Sequence, residues 1–111
     1  MFRPYHTEAD ATGLAYITAN DQAQGTAFQG VNFSCGNGAD ESCAGELHLF
    51  NPASTTYVKH FYSRSSTYSS GDGATDFFVG GYVNVTAAIT DVQFKMSSGN
   101  FDGTIKLWGV K

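Results

Sequence analysis

Residues 91–111 read DVQFKMSSGNFDGTIKLWGVK and carry the clearest folding signal in the chain. Apolar and polar residues alternate before and after a central run rich in Ser, Gly and Asn. Alternation with a period of two is typical of strands that have one buried face, and such a central run favours a chain reversal. The stretch therefore predicts a β-hairpin that ends the chain. Its predicted buried face consists of Val92, Phe94, Met96, Ile105 and Leu107.

Working outward from this hairpin, length and composition predict a single all-β domain over residues 1–111. The chain has thirteen Gly, six Tyr, nine Phe and only two Pro, and 14% of its residues are charged. This composition is typical of a turn-rich antiparallel protein. We expect an antiparallel β-sandwich, jelly-roll-like, with about seven or eight strands. The other strands are predicted within residues 12–19 (a short helix is the alternative there), 28–34, 46–50, 57–63 and 76–85, the last bent at Gly80-Gly81.

Two segments are predicted to lie outside this regular structure. Residues 1–10 are polar, contain Pro4, and suggest an N-terminal arm or an incoming edge. Residues 65–73 read SSTYSSGDG, which predicts an exposed, mobile tip.

Charge and hydropathy argue against two classes of partner, nucleic acid and membrane. The net charge is −4, and residues 1–50 hold six acidic residues and one basic residue. Without a basic cluster, nucleic-acid binding is not expected. Without an apolar run of about 20 residues, a membrane span is not expected either. The acidic first half either faces a charged neighbour or forms a solvated loop surface.

No arrangement of residues predicts catalysis. His6, His48 and His60 can act as bases, but none accompanies a nucleophile motif such as GxSxG. We therefore expect no enzymatic activity and no cofactor.

The cysteines and the loop aspartates leave structural alternatives open. Cys35 and Cys43 can close a loop disulfide or remain thiols, and no further ligand pattern suggests zinc. Asp72 and Asp76 with Asp102 can bind Ca²⁺ in loops, as in some β-sandwiches, but the alternating acidic ladder of an EF-hand is absent, so no metal site is predicted.

Aromatic residues remain as candidates for binding, because amphipathic rings suit both sugar stacking and subunit contacts. Phe77 and Phe94 are assigned to the core. The rings considered for a platform or contact are Tyr57, Phe61, Tyr62, Tyr68, Tyr82 and Trp108. The predicted docking surface comprises Trp108, Lys106, Lys95 and Tyr57, and the predicted glycan-binding or exposed-loop residues are Tyr62, Tyr68 and Asp72.

Several short runs, in order, resemble a group of tailed-bacteriophage virion proteins common in aquatic phages. They are NDQAQGTAF (20–28), GELHLFNP (45–52), VKHF (58–61), MSSGN (96–100) and GTIKLWGV (103–110). The resemblance implies a non-catalytic β-sandwich on the outside of the particle, as a capsid decoration (cement) protein, a head fibre or part of a tail fibre. Such relatives have a longer N-terminal portion with additional strands, so the resemblance also raises strand donation by a neighbouring chain.

From this resemblance we expect a virion protein, made in the host cytoplasm, that binds the major capsid protein or neighbouring virion proteins as a homo-oligomer, with a trimer favoured. The alternative is a fibre domain that recognises host surface glycan.

Overall fold

The computed structural model describes residues 1–110 and contains one antiparallel sheet. A 3-10 turn at Thr18–Asn20 is the only helical element among these residues. The prediction of an all-β antiparallel chain is confirmed, with five strands in one sheet where seven or eight in two sheets were expected. The strands are β1 (Phe2–Thr7), β2 (Thr12–Tyr16), β3 (Ser42–Leu49), β4 (Lys59–Ser69) and β5 (Gly73–Val83), in the spatial order β2-β1-β5-β4-β3.

The hairpin of β4 and β5 forms the centre of the sheet. Its two 11-residue strands pair along their whole length, and β5 runs on through Gly80-Gly81 without a break. The turn is short: Asp72 has a φ of 49°, and its amide donates to the Ser69 carbonyl at 3.0 Å. Of residues 65–73, predicted as an exposed, mobile tip, only residues 70–72 form an exposed turn, and the rest of the segment is strand.

Serine and threonine can occupy these strands because their hydroxyl groups find partners across one face of the sheet. Ser65 Oγ donates to the Val31 carbonyl at 2.8 Å, and Thr67 Oγ1 donates to Asn32 Oδ1 at 2.7 Å. Residues 28–34, predicted as a strand, run across the sheet as irregular chain and supply these acceptors. We call this side the covered face; its buried residues on β4 and β5 are Lys59, Ser63, Ser65, Thr67, Gly73, Thr75, Phe77 and Val79.

The hydrophobic core on the covered face is small. Phe77 is completely buried, and its ring centroid lies 5.8 Å from that of Phe33. Its assignment to the core is confirmed. The remaining members of the cluster are Met1, Val79, Ile17 and Phe61.

A buried lysine fixes the chain after β5 to this face. Lys59 is completely buried, and its Nζ donates to the carbonyls of Val85 at 3.1 Å, Thr86 at 2.7 Å and Ala87 at 2.6 Å. Charge-assisted hydrogen bonds of this kind are stronger than neutral ones. Lys59 therefore positions the segment that leads into the C-terminal region.

Residues 1–10, predicted as an arm or incoming edge, contribute β1 between β2 and β5. Its side chains Phe2 and Tyr5 pair with Phe78 and Thr75 of β5. Pro4 lies between them and has no N–H to donate to a ladder.

The C-terminal hairpin prediction is wrong for the described residues, since no strand occurs within residues 91–110. Alternation determines which side chains share a face, but a two-stranded hairpin is marginal in water without a further strand or cover. The predicted inner face is correspondingly accessible: Val92, Phe94, Ile105 and Leu107 are exposed and Met96 is half-buried, so the assignment of Phe94 to the core is also wrong. Lys111, the last residue of the predicted hairpin, lies outside the described residues.

Candidate interaction surface

The side of the sheet opposite the covered face is lined with large apolar and aromatic side chains. Strand alternation and cross-strand pairing place them together on this side, which we call the open face. Monomeric soluble proteins rarely expose a large contiguous patch of this kind. The open face bears Phe2, Leu14, Tyr16, His48, His60, Tyr62, Phe78 and Tyr82, with Phe50 at the end of β3.

Three rings form a cluster at the β3 side of the open face. The imidazole of His48 stacks on Tyr62 with centroids 4.6 Å apart and planes at 15°. Phe50 lies 6.5 Å from His48 and 5.8 Å from Tyr62. We call these residues the ring cluster; His48 and Tyr62 stack on each other, and Tyr62 and Phe50 are 45% and 50% exposed.

A second group holds a fixed ion pair at the centre of the open face. Arg64 donates to Asp76 Oδ2 at 2.9 Å, and its guanidinium lies 5.2 Å from the ring centroid of Phe78. The ring of Phe2 is 5.9 Å from that of Phe78. The hydrogen bond from Arg64, followed by one from Ser66, holds the pKa of Asp76 below its ordinary value, so this carboxylate stays charged at neutral pH.

The surface of the chain is larger than its size predicts. The accessible area is 8,441 Å². A compact monomer of this mass exposes about 5,900 Å², which leaves an excess of about 2,500 Å². The excess includes an open face that carries more aromatic rings than the covered face, where Ser and Thr predominate on β4. This distribution is typical of a subunit whose apolar side is buried by a neighbour.

The predicted docking residues are accessible but do not form one surface with the sheet. Trp108 is 79% exposed and Tyr57 is 69% exposed, and Lys106 is also exposed. Lys95 is engaged within the chain, with its Nζ 4.2 Å from the centroid of the Phe28 ring. Lys95 therefore belongs to a contact that holds the C-terminal region, while Trp108 and Lys106 remain candidates for docking.

The predicted glycan residues separate into two places. Tyr62 lies in the ring cluster, whereas Tyr68 lies about 20 Å further along β4. There its hydroxyl contacts Asp72 Oδ1 at 3.4 Å. Partial burial and the negative charges of Glu8 and Asp72 raise the pKa of the Tyr68 phenol. The three residues therefore do not form a single site.

The sequence analysis did not assign His48, Phe50, Phe2 or Phe78 to a binding surface. His48 lies in β3. The alternation of residues 57–63 indicates from sequence alone that His60 and Tyr62 share one face. The partners of that face come from β3, β5 and β1, and this pairing cannot be read from local sequence.

Both cysteines are free thiols. Burial raises the pKa of Cys43, and the neighbouring Cys35 thiol raises it further. Because the thiolate is the nucleophile, Cys43 is largely protonated and unreactive at neutral pH.

We predict that iodoacetamide alkylates Cys43 at pH 8 several-fold more slowly than it alkylates an unstructured cysteine, whose pKa is about 8.5. Cys35→Ser should lower the pKa of Cys43 partway and recover part of the rate. The measurement is the pH dependence of alkylation followed by mass spectrometry. A rate profile centred at or below that of an unstructured cysteine would contradict this prediction.

Among residues 1–110, no group of three or more His, Cys, Asp or Glu side chains is arranged to hold a metal ion. In the same part of the chain, no helix has the length and apolarity needed to cross a membrane. No family model, curated protein or solved structure matches the chain.

Proposed function

We propose that this chain is a structural protein of a tailed-bacteriophage particle, without enzymatic activity, that decorates the outside of the capsid. The observation that carries the proposal is the apolar open face, on a chain whose total accessible surface is about 2,500 Å² larger than a compact monomer of this mass exposes. The runs that resemble virion proteins, such as NDQAQGTAF and GTIKLWGV, support the same role. An apolar surface of this kind typically marks a site that a partner covers.

In this role the single sheet becomes one layer of a sandwich. Neighbouring copies, or the capsid beneath them, supply the second layer against the open face, and the complete assembly has the jelly-roll-like architecture expected from the sequence. A trimer or other closed cluster lets one decoration unit contact several capsid subunits at once.

The mechanism is stabilisation by linkage. A protein that binds only the assembled shell lowers the free energy of that state and not of free capsid subunits. Decorated particles then resist heat and internal pressure better than bare ones. No reacting group is required, because the free energy comes from subunit contacts.

A reconstitution experiment tests this function. Purified protein is added to particles that lack it, and bound protein and the temperature of genome release are measured. We expect saturable binding and a higher release temperature.

Trp108→Ala should weaken binding at least about tenfold, since an exposed Trp is a typical interface anchor, whereas the exposed control Thr56→Ala should not. Unchanged heat resistance of decorated particles would refute the role, and unchanged binding of Trp108→Ala would remove Trp108 from the docking surface.

The ring cluster favours one second candidate, a fibre domain that binds host surface glycan. Sugars stack on exposed aromatic rings, and Tyr62 and Phe50 of the cluster are 45% and 50% exposed. Tyr62→Ala should then reduce adsorption to host cells, while Tyr68→Ala, outside the cluster, should not. Undiminished adsorption of Tyr62→Ala would eliminate this candidate. Imaging of labelled particles distinguishes a head location from a tail location.

A further inference from the structure

A segment with the sequence of a strand lies unpaired at the C-terminal end of the described chain. Residues 104–110 read TIKLWGV, and Leu107 and Val110 are each 94% exposed. Among the described residues, no backbone N–H from residue 90 onward donates to a backbone carbonyl. Backbone groups and β-branched or aromatic side chains of this kind are stabilised by joining a sheet.

The sheet has a free edge that lacks the usual protection. β3, the eight-residue strand Ser42–Leu49, is an outer strand with no partner on its far side in residues 1–110. Edge strands normally avoid further pairing through Lys, Pro, bulges or short length. β3 contains no Lys and no Pro and pairs with β4 in unbroken register. The other edge, β2, has only five residues.

The side chains of the two strands match by face. On β3, Leu47 and Leu49 point to the covered face. Glu46 and His48 therefore point to the open face, and Phe50 follows them beside the ring cluster. Residues 104–110 show the same alternation, with Ile105 and Leu107 on one side and Lys106 and Trp108 on the other.

Placed beside β3, the segment can satisfy both faces together. Ile105 and Leu107 extend the apolar row of Leu47 and Leu49. Lys106 then lies on the face of Glu46, and Trp108 lies on the face of the ring cluster. Opposite charges and aromatic pairs across neighbouring strands are both stabilising.

We propose that residues 104–110 of one copy of this chain add to β3 of a second copy as a sixth strand. The proposal deepens the function proposed above by naming the contact that forms the homo-oligomer. Each chain then donates one strand and accepts one; two copies satisfy this by reciprocal exchange, and a closed ring satisfies it head-to-tail. A trimer is the ring size that the resemblance favours.

The test uses the full chain in solution, without capsid. Light scattering and native mass spectrometry over a range of concentrations should find a closed oligomer. Ile105→Lys with Leu107→Lys should raise the dissociation constant of the oligomer at least about 100-fold, since two apolar anchors are lost. Thr55→Lys with Thr56→Lys adds the same charge in an exposed connection and should change it little.

Two further measurements identify the partner strand. Hydrogen exchange should show slow amides in residues 42–49 and 104–110, and both segments should speed up together in the Ile105→Lys, Leu107→Lys variant. Lys106→Glu should weaken the oligomer several-fold. Combining Glu46→Lys with Lys106→Glu should restore the strength of the oligomer, because the charge pair is re-formed with its signs exchanged.

The outcomes separate this proposal from the virion role. A chain that stays monomeric at all concentrations overturns strand donation, and so does an oligomer in which residues 104–110 exchange freely. A monomer that still binds and stabilises particles would leave the decoration role standing. An oligomer that forms through residues 104–110 but neither binds nor stabilises particles would support strand donation and refute the decoration role.

Discussion

Lys59→Met is expected to lower the free energy of unfolding by about 3 kcal/mol, because three hydrogen bonds to a charged donor are lost and hydrogen bonds of this type contribute about 1.5–3 kcal/mol each. The methionine side chain has nearly the same length, so the cavity that it leaves is small. The carbonyls of residues 85–87, which Lys59 Nζ binds at 2.6–3.1 Å, lose their partner. They can recover part of the loss by turning toward water, which is why the expected effect is below the sum.

The measurement is urea denaturation followed by circular dichroism at one fixed protein concentration. Thr55→Met is the control, since Thr55 is exposed in the connection between β3 and β4 and a substitution there should cost less than about 0.5 kcal/mol. Hydrogen exchange should also show residues 84–90 opening in Lys59→Met while β4 and β5 stay protected. Equal stability of the two variants would show that Lys59 does not hold the C-terminal region to the sheet.

Phe77→Ala is expected to cost about 3–5 kcal/mol, the range for removing a completely buried aromatic ring. Phe77 lies at the centre of the core cluster and packs on Phe33. This core is small, so no other residue replaces the lost contacts. The substitution leaves the chain close to unfolding, since domains of this size have a total stability of about 5–15 kcal/mol.

The neighbouring residue supplies the control. Phe78 lies one position further along β5 on the open face, where it is 36% exposed, and Phe78→Ala should cost less than about 1 kcal/mol in the monomer. If Phe77→Ala does not fold, Phe77→Leu keeps the comparison, with a smaller loss. Thermal and urea unfolding of the variants measure the difference. A larger loss for Phe78 than for Phe77 would mean that the two faces of the sheet have been assigned the wrong way round.

The same pair of residues separates folding from assembly. Phe77 acts within one chain, whereas Phe78 belongs to the face that we propose is covered by a neighbour. Phe78→Ala should therefore weaken oligomers or particle binding more than it weakens the fold. The covered face thus stabilises the fold of the single chain, and the open face is available to a partner.

Local sequence predicted parts of four of the five strands. The runs at 12–19, 46–50, 57–63 and 76–85 all contain parts of β2 to β5. Composition misled at residues 65–73, where Ser and Gly suggested a loop. Ser65 and Thr67 remain in the strand because residues 31 and 32 accept their hydroxyl hydrogen bonds, and this partner lies more than thirty residues away.

The candidate surface was predicted only in part. Tyr62 and Trp108 were identified as accessible rings, and both are exposed. The ring cluster around Tyr62 required the register of β3 against β4, which places His48 opposite it. Lys59 gave no local sign of burial, since its partners are backbone carbonyls that any sequence supplies.

By itself, the sequence determined that this chain forms antiparallel strands, that its surface carries little charge, and that its aromatic residues alternate along those strands. Those properties follow from side-chain type and from a period of two, and they need no knowledge of neighbours. The tertiary structure decided which strand-like runs obtain a backbone partner. β4 and β5 pair with each other, whereas residues 91–110 keep the alternation of a hairpin without its hydrogen bonds. The physical reason is that alternation records only the direction of side chains, while a strand is held by hydrogen bonds to a second strand that local sequence does not specify.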